Sequence, residues 1–269
     1  MDWSPLQIAL IGAIGLSGGL LGGLVGLGGS MVILPALTLA MGTNQHLYQS
    51  AALVTNVLVA IAAVLRHRGR GTIRRQIAWP LGVAGCSTAI VGVLVSNLVP
   101  PVPLAALFGA FLAYASIAIL RATVRAAEQT ATPLQAPRNR SGAIFVGGCG
   151  GFASGLLGIG GGAVMVPMLQ RLSGLNVREA VATSSMAMIP MASIGAVAKF
   201  LSVPVLAAPD GSALERVDVL ALAALLGPPA MLGASLGAAM VYRLPVRVIR
   251  ATLGVLLLVA SFRMLGLVF

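Results

Sequence analysis

From about Pro5 onward, long apolar runs alternate with short polar interruptions. The first run extends to about Leu27, meets closely spaced glycines, and resumes as Ser30–Met41. At 1.5 Å per residue that resumed piece reaches about 18 Å as a helix, against a hydrocarbon core of about 30 Å, so it is too short to cross upright. A polar turn at Gly42–His46 precedes Leu47–Leu65, which is long enough to span and ends in an arginine cluster at Arg66–Arg75. Runs at Gln76–Val99 and Pro103–Leu120 follow, separated by an uncharged Val-Pro-Pro-Val-Pro turn. After a polar stretch at Arg121–Arg140 the layout starts again: a broken segment at Gly142–Gln170, then runs near Val177–Leu201, Val217–Val241 and Val246–Leu267.

The second series is a copy of the first. Moving Gly19–Leu37 along by 132 residues onto Gly151–Leu169 gives 9 identities in 19 positions, among them Gly26, Gly28, Gly29 and Pro35. At an offset of 145, Gly82, Gly92, Pro100 and Gly109 fall on Gly227, Gly237, Pro245 and Gly254, which places an insertion in Ser202–Arg216. Two related halves are therefore expected, residues 1–120 and 141–269, with a linker at 121–140.

Composition decides the solvent. With 58% apolar residues, 9% charged residues and a mean hydropathy of +1.00, too few charged groups exist to cover a soluble core. The expected fold is an all-α integral membrane bundle, multi-pass. A net charge of +11 would suggest nucleic acid in a soluble chain, but the arginines sit in short loops between apolar runs and no basic stripe is interleaved with aromatics. They read as topology signals, with no nucleic-acid partner. The cluster at Arg66–Arg75 has an acidic counterpart in the second half, Asp210, Glu215 and Asp218, whereas the uncharged turn of the first half corresponds to a loop bearing Arg243, Arg247 and Arg250. That swap predicts inverted repeats, each a Gly-broken segment followed by three spans, in the inner (plasma) membrane with the N-terminus outside. Each broken segment is then either a re-entrant hairpin or two tilted crossings. The N-terminus carries Asp2 and no Lys or Arg before its first apolar run, so no cleaved signal peptide is expected.

The glycine breaks carry the chemistry. Unwound backbone survives in hydrocarbon only where it is buried in protein or lines a polar cavity, and a helix starting at that depth presents unpaired N–H groups and the positive end of its dipole. Gly28, Gly29 and Ser30 in one half, with Gly160, Gly161 and Gly162 in the other, are therefore candidate anion ligands across a shared midplane cavity. Ser30 is expected at the N-cap of its helix. On the helix after each break, Gln49, Ser50, Thr55 and Asn56, and Thr183, Ser184 and Ser185, offer uncharged donors, Thr55 meeting Ser185 at an offset of 130. Interhelical hydrogen bonding and back-bonding to their own helix are the competing roles for the hydroxyls. Gly18, Gly19, Gly22 and Gly23 read as helix-packing residues, and Gly18→Ala is expected to be tolerated. His46 and His67 are read as solvent-facing loop residues, and Lys199 as snorkelling from a helix end, with attraction of anions as the alternative. Cys86 and Cys149 read as packing residues. No cofactor, metal site or enzyme motif is expected.

The duplicated GLGGS–VILP and GIGGG–VMVP motifs, the stretch AVATSS at Ala180–Ser185 and the four-part layout of each half resemble the sulfite exporter TauE/SafE family of membrane permeases. The resemblance covers nearly the whole chain and implies transport of sulfite, sulfonates and related organic anions. Half one has Leu53-Val54-Thr55 in place of the TSS stretch. The reading is a secondary exporter of small, sulfur-containing oxyanions that works by alternating access, with an anion channel as the alternative. Its partners are then the anion and the lipid bilayer; the oligomeric state stays open, a homo-oligomer included.

Overall fold

Ser4 starts the first helix by a capping box, its hydroxyl accepting from the Gln7 N–H while the Gln7 side chain accepts from the Ser4 N–H. The computed structural model describes residues 3–42, 44–128, 140–206, 214–243 and 245–266. Thr43, most of the expected linker and Asp210 lie outside the described residues. Within them the regular structure is helical: α1 Pro5–Val25, α2 Ser30–Met41, α3 Gln45–Arg68, α4 Arg75–Leu98, α5 Pro101–Glu128, α6 Arg140–Leu157, α7 Gly162–Leu172, α8 Val177–Ser202, α9 Arg216–Met240 and α10 Val246–Gly266, with a 3-10 turn at Val203–Val205. Six of these, α1, α3, α4, α5, α8 and α9, are long and apolar enough to cross a membrane. The chain is thus an all-α membrane bundle.

Asn44 caps α3 and Asn176 caps α8. These two N-caps lie 132 positions apart, the same offset as the glycine breaks. In this register Thr55 corresponds to Ala187, so the pairing of Thr55 with Ser185 does not hold. Gln45 and His46, expected in a turn, are the first residues of α3 because the cap lies before them.

α3 and α8 form the centre, 72% and 67% of their apolar windows being buried against 44% for α1, α4 and α9. The outer helices turn apolar residues such as Leu6, Trp79, Tyr114, Leu232 and Phe262 outward, as a lipid-facing surface requires. α1 packs on α9 and α4 on α6, α3 on α9 and α4 on α8, α3 on α8, and α5 on α10. Exchanging each of α1–α5 with its counterpart in α6–α10 turns these contacts into one another, which is an approximate two-fold relation between the halves. Glycines permit the closest of these approaches: a Cβ on Gly15 of α1 would lie 2.6 Å from the Leu226 carbonyl oxygen of α9. The symmetry is incomplete: α5 touches α3 and α10 touches α1 without comparable counterparts among the described residues. α10 packs against α2, whereas α5 makes no comparable packing with α7 among the described residues.

Candidate functional site

The two breaks meet at the centre of the bundle. α1 ends at Gly26 in the left-handed region (φ 70°), its N–H donating to the Gly22 carbonyl at 2.8 Å. α6 ends in the same way at Gly158 (φ 74°), whose N–H donates to the Ser154 carbonyl at 2.8 Å. α2 then folds back along the last turns of α1, since a Cβ on Gly22 would lie 2.7 Å from the Gly29 nitrogen and one on Gly18 would lie 2.5 Å from Ile33 Cγ1. Helix α2 thus lies closely against the end of α1. This contact also corrects Gly18 as a tolerant packing position, because an alanine there must displace Ile33.

Backbone faces backbone across the junction. A Cβ on Gly28 (φ 83°) would lie 2.8 Å from the Ile159 carbonyl oxygen, and one on Gly162 would lie 2.9 Å from the Leu27 Cα. The breaks are therefore in direct contact, where a shared cavity was expected. Gly161 (φ 76°) is the N-cap of α7, and Gly29 is the N-cap of α2, so Ser30 is the first residue of its helix and not its cap. The cap function comes instead from another helix. Asn56 of α3 accepts the Ser30 N–H on Oδ1 at 3.3 Å, while its Nδ2 donates to Ser30 Oγ at 2.9 Å and to the Gly158 carbonyl at 3.2 Å. One fully buried carboxamide thus holds both breaks.

The other candidates divide. Ser184 donates to the Gly26 carbonyl at 3.4 Å and to its own helix at 3.0 Å, so it touches the first break. Thr55 and Ser185 bond back to the carbonyls of Ala51 and Val181, four residues earlier. Thr183 accepts the Arg74 N–H at 3.1 Å, at the start of α4. The structure therefore brings together Gly28, Gly29, Ser30, Asn56, Gly160, Gly161, Gly162 and Ser184, and leaves Thr55, Thr183 and Ser185 serving other bonds. The Gly29 and Gly161 carbonyls accept from Val32 and Ile33 and from Val164 and Met165, so two helix N-termini, with their positive dipole ends, begin side by side at this buried junction.

A cavity of about 220 Å³ adjoins the junction between the end of α1, α5 and α7. Leu27, Ala163 and Val164 form its wall beside the breaks; Gln170, Arg171, Val177 and Val241 line it as well. Arg171 supplies a positive charge there.

A second polar cluster joins Gln49, one of the candidate donors, to Lys199 and to residues with no expected role. His46 is 2% exposed and Lys199 is fully buried, so neither faces solvent; His67 is buried too. Lys199 Nζ donates to Ser96 Oγ at 2.9 Å and Asn97 Oδ1 at 2.8 Å, and lies 3.1 Å from His46 Nδ1. Ser96 donates in turn to Gln49 Oε1 at 3.0 Å, and Gln49 Nε2 donates to the Leu156 carbonyl at 3.3 Å, next to the second break. His67 bonds Tyr242 through Nδ1 at 2.8 Å. The available signal was the single lysine of the chain, placed within an apolar run. Glu179 is committed elsewhere: it completes the capping box of α8 and pairs with Arg74.

Comparison with known proteins gives a consistent picture. The family described as "Sulfite exporter TauE/SafE" matches residues 11–264. "Probable membrane transporter protein MamO" of Magnetospirillum gryphiswaldense is 24% identical across 98% of this chain and 45% of its own length. The chain thus spans about half the length of that relative. A "Probable membrane transporter protein" of Xylella fastidiosa is 33% identical over 66% of this chain and 69% of its own, and one of Methanocaldococcus jannaschii is 28% identical over 73% of each. No solved structure matches the chain.

Proposed function

Since the chain belongs to the sulfite exporter TauE/SafE family, we propose that it is a membrane transporter of small, sulfur-containing oxyanions, exporting them by alternating access of its two halves. The observation that carries this reading is the convergence of the α2 and α7 N-termini on one junction bridged by Asn56. Two helix ends attract an anion without any side-chain charge, and bare glycine backbone lets it come within hydrogen-bond distance. The contact between the breaks leaves that place shut, so an anion must part them to bind. A carrier that rearranges fits this better than a channel.

The broken symmetry supports the same reading. An alternating carrier with two equivalent halves has two equivalent paths, one open while the other is closed. Here the space between α5 and α7 is the open one, and the packed α2–α10 pair is its closed counterpart. With the charge pattern placing Arg171 and Arg243 inside, the open path faces the cytoplasm.

Cysteine labelling tests this in a variant lacking Cys86 and Cys149. Ala163 lines the open cavity, and its counterpart Met31, 132 positions earlier, is buried. Ala163→Cys should react with a membrane-impermeant thiol reagent from the cytoplasmic face only, and Met31→Cys from the other face only. Adding sulfite should change both rates, in opposite directions. Simultaneous labelling of one position from both faces would establish a channel instead.

A further inference from the structure

The closed path has a different lining from the open one. At the register of the N-caps, Val177 in the open cavity corresponds to Gln45, and at the offset of the α4 and α9 glycines, Val241 corresponds to Ser96. The open cavity is apolar at these two places; the closed counterpart is polar. We propose that the cluster at the start of α3 is a second anion station on the transport path, centred on Lys199 and Gln45 and uncovered when α2 and α10 part. This rests on the anion-transport reading above.

Two observations point to a ligand there. Among the described residues Lys199 has three partners, the His46 ring, Ser96 and Asn97, and none of them is an anion. Burial without a counter-charge disfavours the ammonium form of a lysine, and an anion beside it restores that form. A passing oxyanion supplies the missing charge. Gln45, also fully buried, has no hydrogen-bond partner for either Nε2 or Oε1 among the described residues. Four residues before Gln49, it lies on the same face of α3, one turn further from the second break. Its amide is an unused donor beside the path, and burying it without partners is costly unless a ligand uses it.

The bonds already present connect this station to the breaks. Lys199 reaches Ser96, Ser96 reaches Gln49, and Gln49 holds the Leu156 carbonyl at the end of α6. An anion drawn toward Lys199 and Gln45 competes for these donors and loosens the hold on α6. The station thereby catches the anion on leaving the breaks and favours separation of the second one.

The test is transport of sulfite by the full chain in oriented proteoliposomes, with KM measured separately from each face. Lys199→Met should raise KM on the face nearer Lys199 by about tenfold or more and leave the opposite face within about twofold, because a fixed charge acts on the anion nearby. Lys199→Arg, which retains the charge, should recover most of the loss. Gln45→Leu should raise the same KM without lowering the midpoint of thermal unfolding, since its amide has no hydrogen-bond partner among the described residues to lose. That combination separates a ligand contact from a structural one. Equal KM changes on both faces in Lys199→Met, or an unchanged KM in Gln45→Leu, would overturn the station; if Lys199→Met does not fold, Gln45→Leu decides. Failure of the unaltered protein to move sulfite would overturn the sulfur-oxyanion reading and the station with it. Normal transport by all variants overturns the station alone.

Discussion

At the scale of single residues, the site is made by what the side chains omit. Gly28 and Gly161 combine a left-handed backbone with a carbonyl oxygen 2.8 and 2.6 Å from where a Cβ would stand. A side chain there costs about 1–2 kcal/mol for the conformation alone, before any clash. Gly28→Leu or Gly161→Leu is therefore expected to abolish sulfite transport in proteoliposomes, while the protein still reaches the membrane by immunoblot of the membrane fraction. Thr183 gives the contrast. Its hydroxyl serves the Arg74 N–H, so Thr183→Val should lower the unfolding midpoint, a loss of about 1 kcal/mol, with sulfite KM unchanged. A large rise in KM would return Thr183 to the anion site.

At the scale of elements, α3 decides whether the two breaks stay in contact. It is the most buried of the six membrane-length helices, and through Asn56 it supplies the cap that α2 lacks and holds the carbonyl that ends α6. Asn56→Ala removes all three of its bonds and leaves the Ser30 N–H and hydroxyl and the Gly158 carbonyl without it. The expected loss is about 1–3 kcal/mol, read as a lower unfolding midpoint in detergent, together with loss of transport. Asn56→Asp separates the two effects. It retains an acceptor for Ser30 but sets a carboxylate where the anion should bind, so its transport should fall further than its stability. Equal transport by Asn56→Asp and the unaltered protein would remove the anion from this junction.

At the scale of the whole molecule, the energy source follows from where the carboxylates are. The chain has six acidic residues; of the two in membrane-length helices beyond the loops, Asp218 stands in the first turn of α9, and Glu179 is bound into a cap and an ion pair with Arg74. A proton-coupled carrier needs a titratable group that is released during transport. Export of an anion from a cell negative inside gains about 2.3 kcal/mol per charge per 100 mV, equivalent to a gradient of roughly fiftyfold. In substrate-loaded proteoliposomes, an inside-negative potassium diffusion potential should accelerate sulfite efflux, and a pH gradient at fixed voltage should not. Efflux that follows the pH gradient and disappears in Glu179→Gln would make Glu179 the coupling residue. The orientation is tested by reporter fusions: Arg66–Arg75, Arg121–Arg140 and Arg243–Arg250 inside, Asp210–Arg216 outside. Placement of those last two loops on one side would refute inversion.

Composition, apolar run length and duplication determined the membrane class, the helices and the positions of the breaks, because these depend on apolar content, glycine pairs and local caps. Even the short α2 is bounded where the sequence placed it. Only the tertiary structure decided what those breaks face. Asn56 and Ser30 are 26 residues apart, and Asn56 and Gly158 are 102 apart; no local pattern encodes such a pairing. Lys199 and His46 read as peripheral for the same reason: each stands near the end of its own helix, and burial there is produced by neighbours from the other half. The contrast between an open α5–α7 gap and a packed α2–α10 pair lies outside any repeat analysis, since both halves carry the same pattern and the difference exists only in how ten helices are assembled.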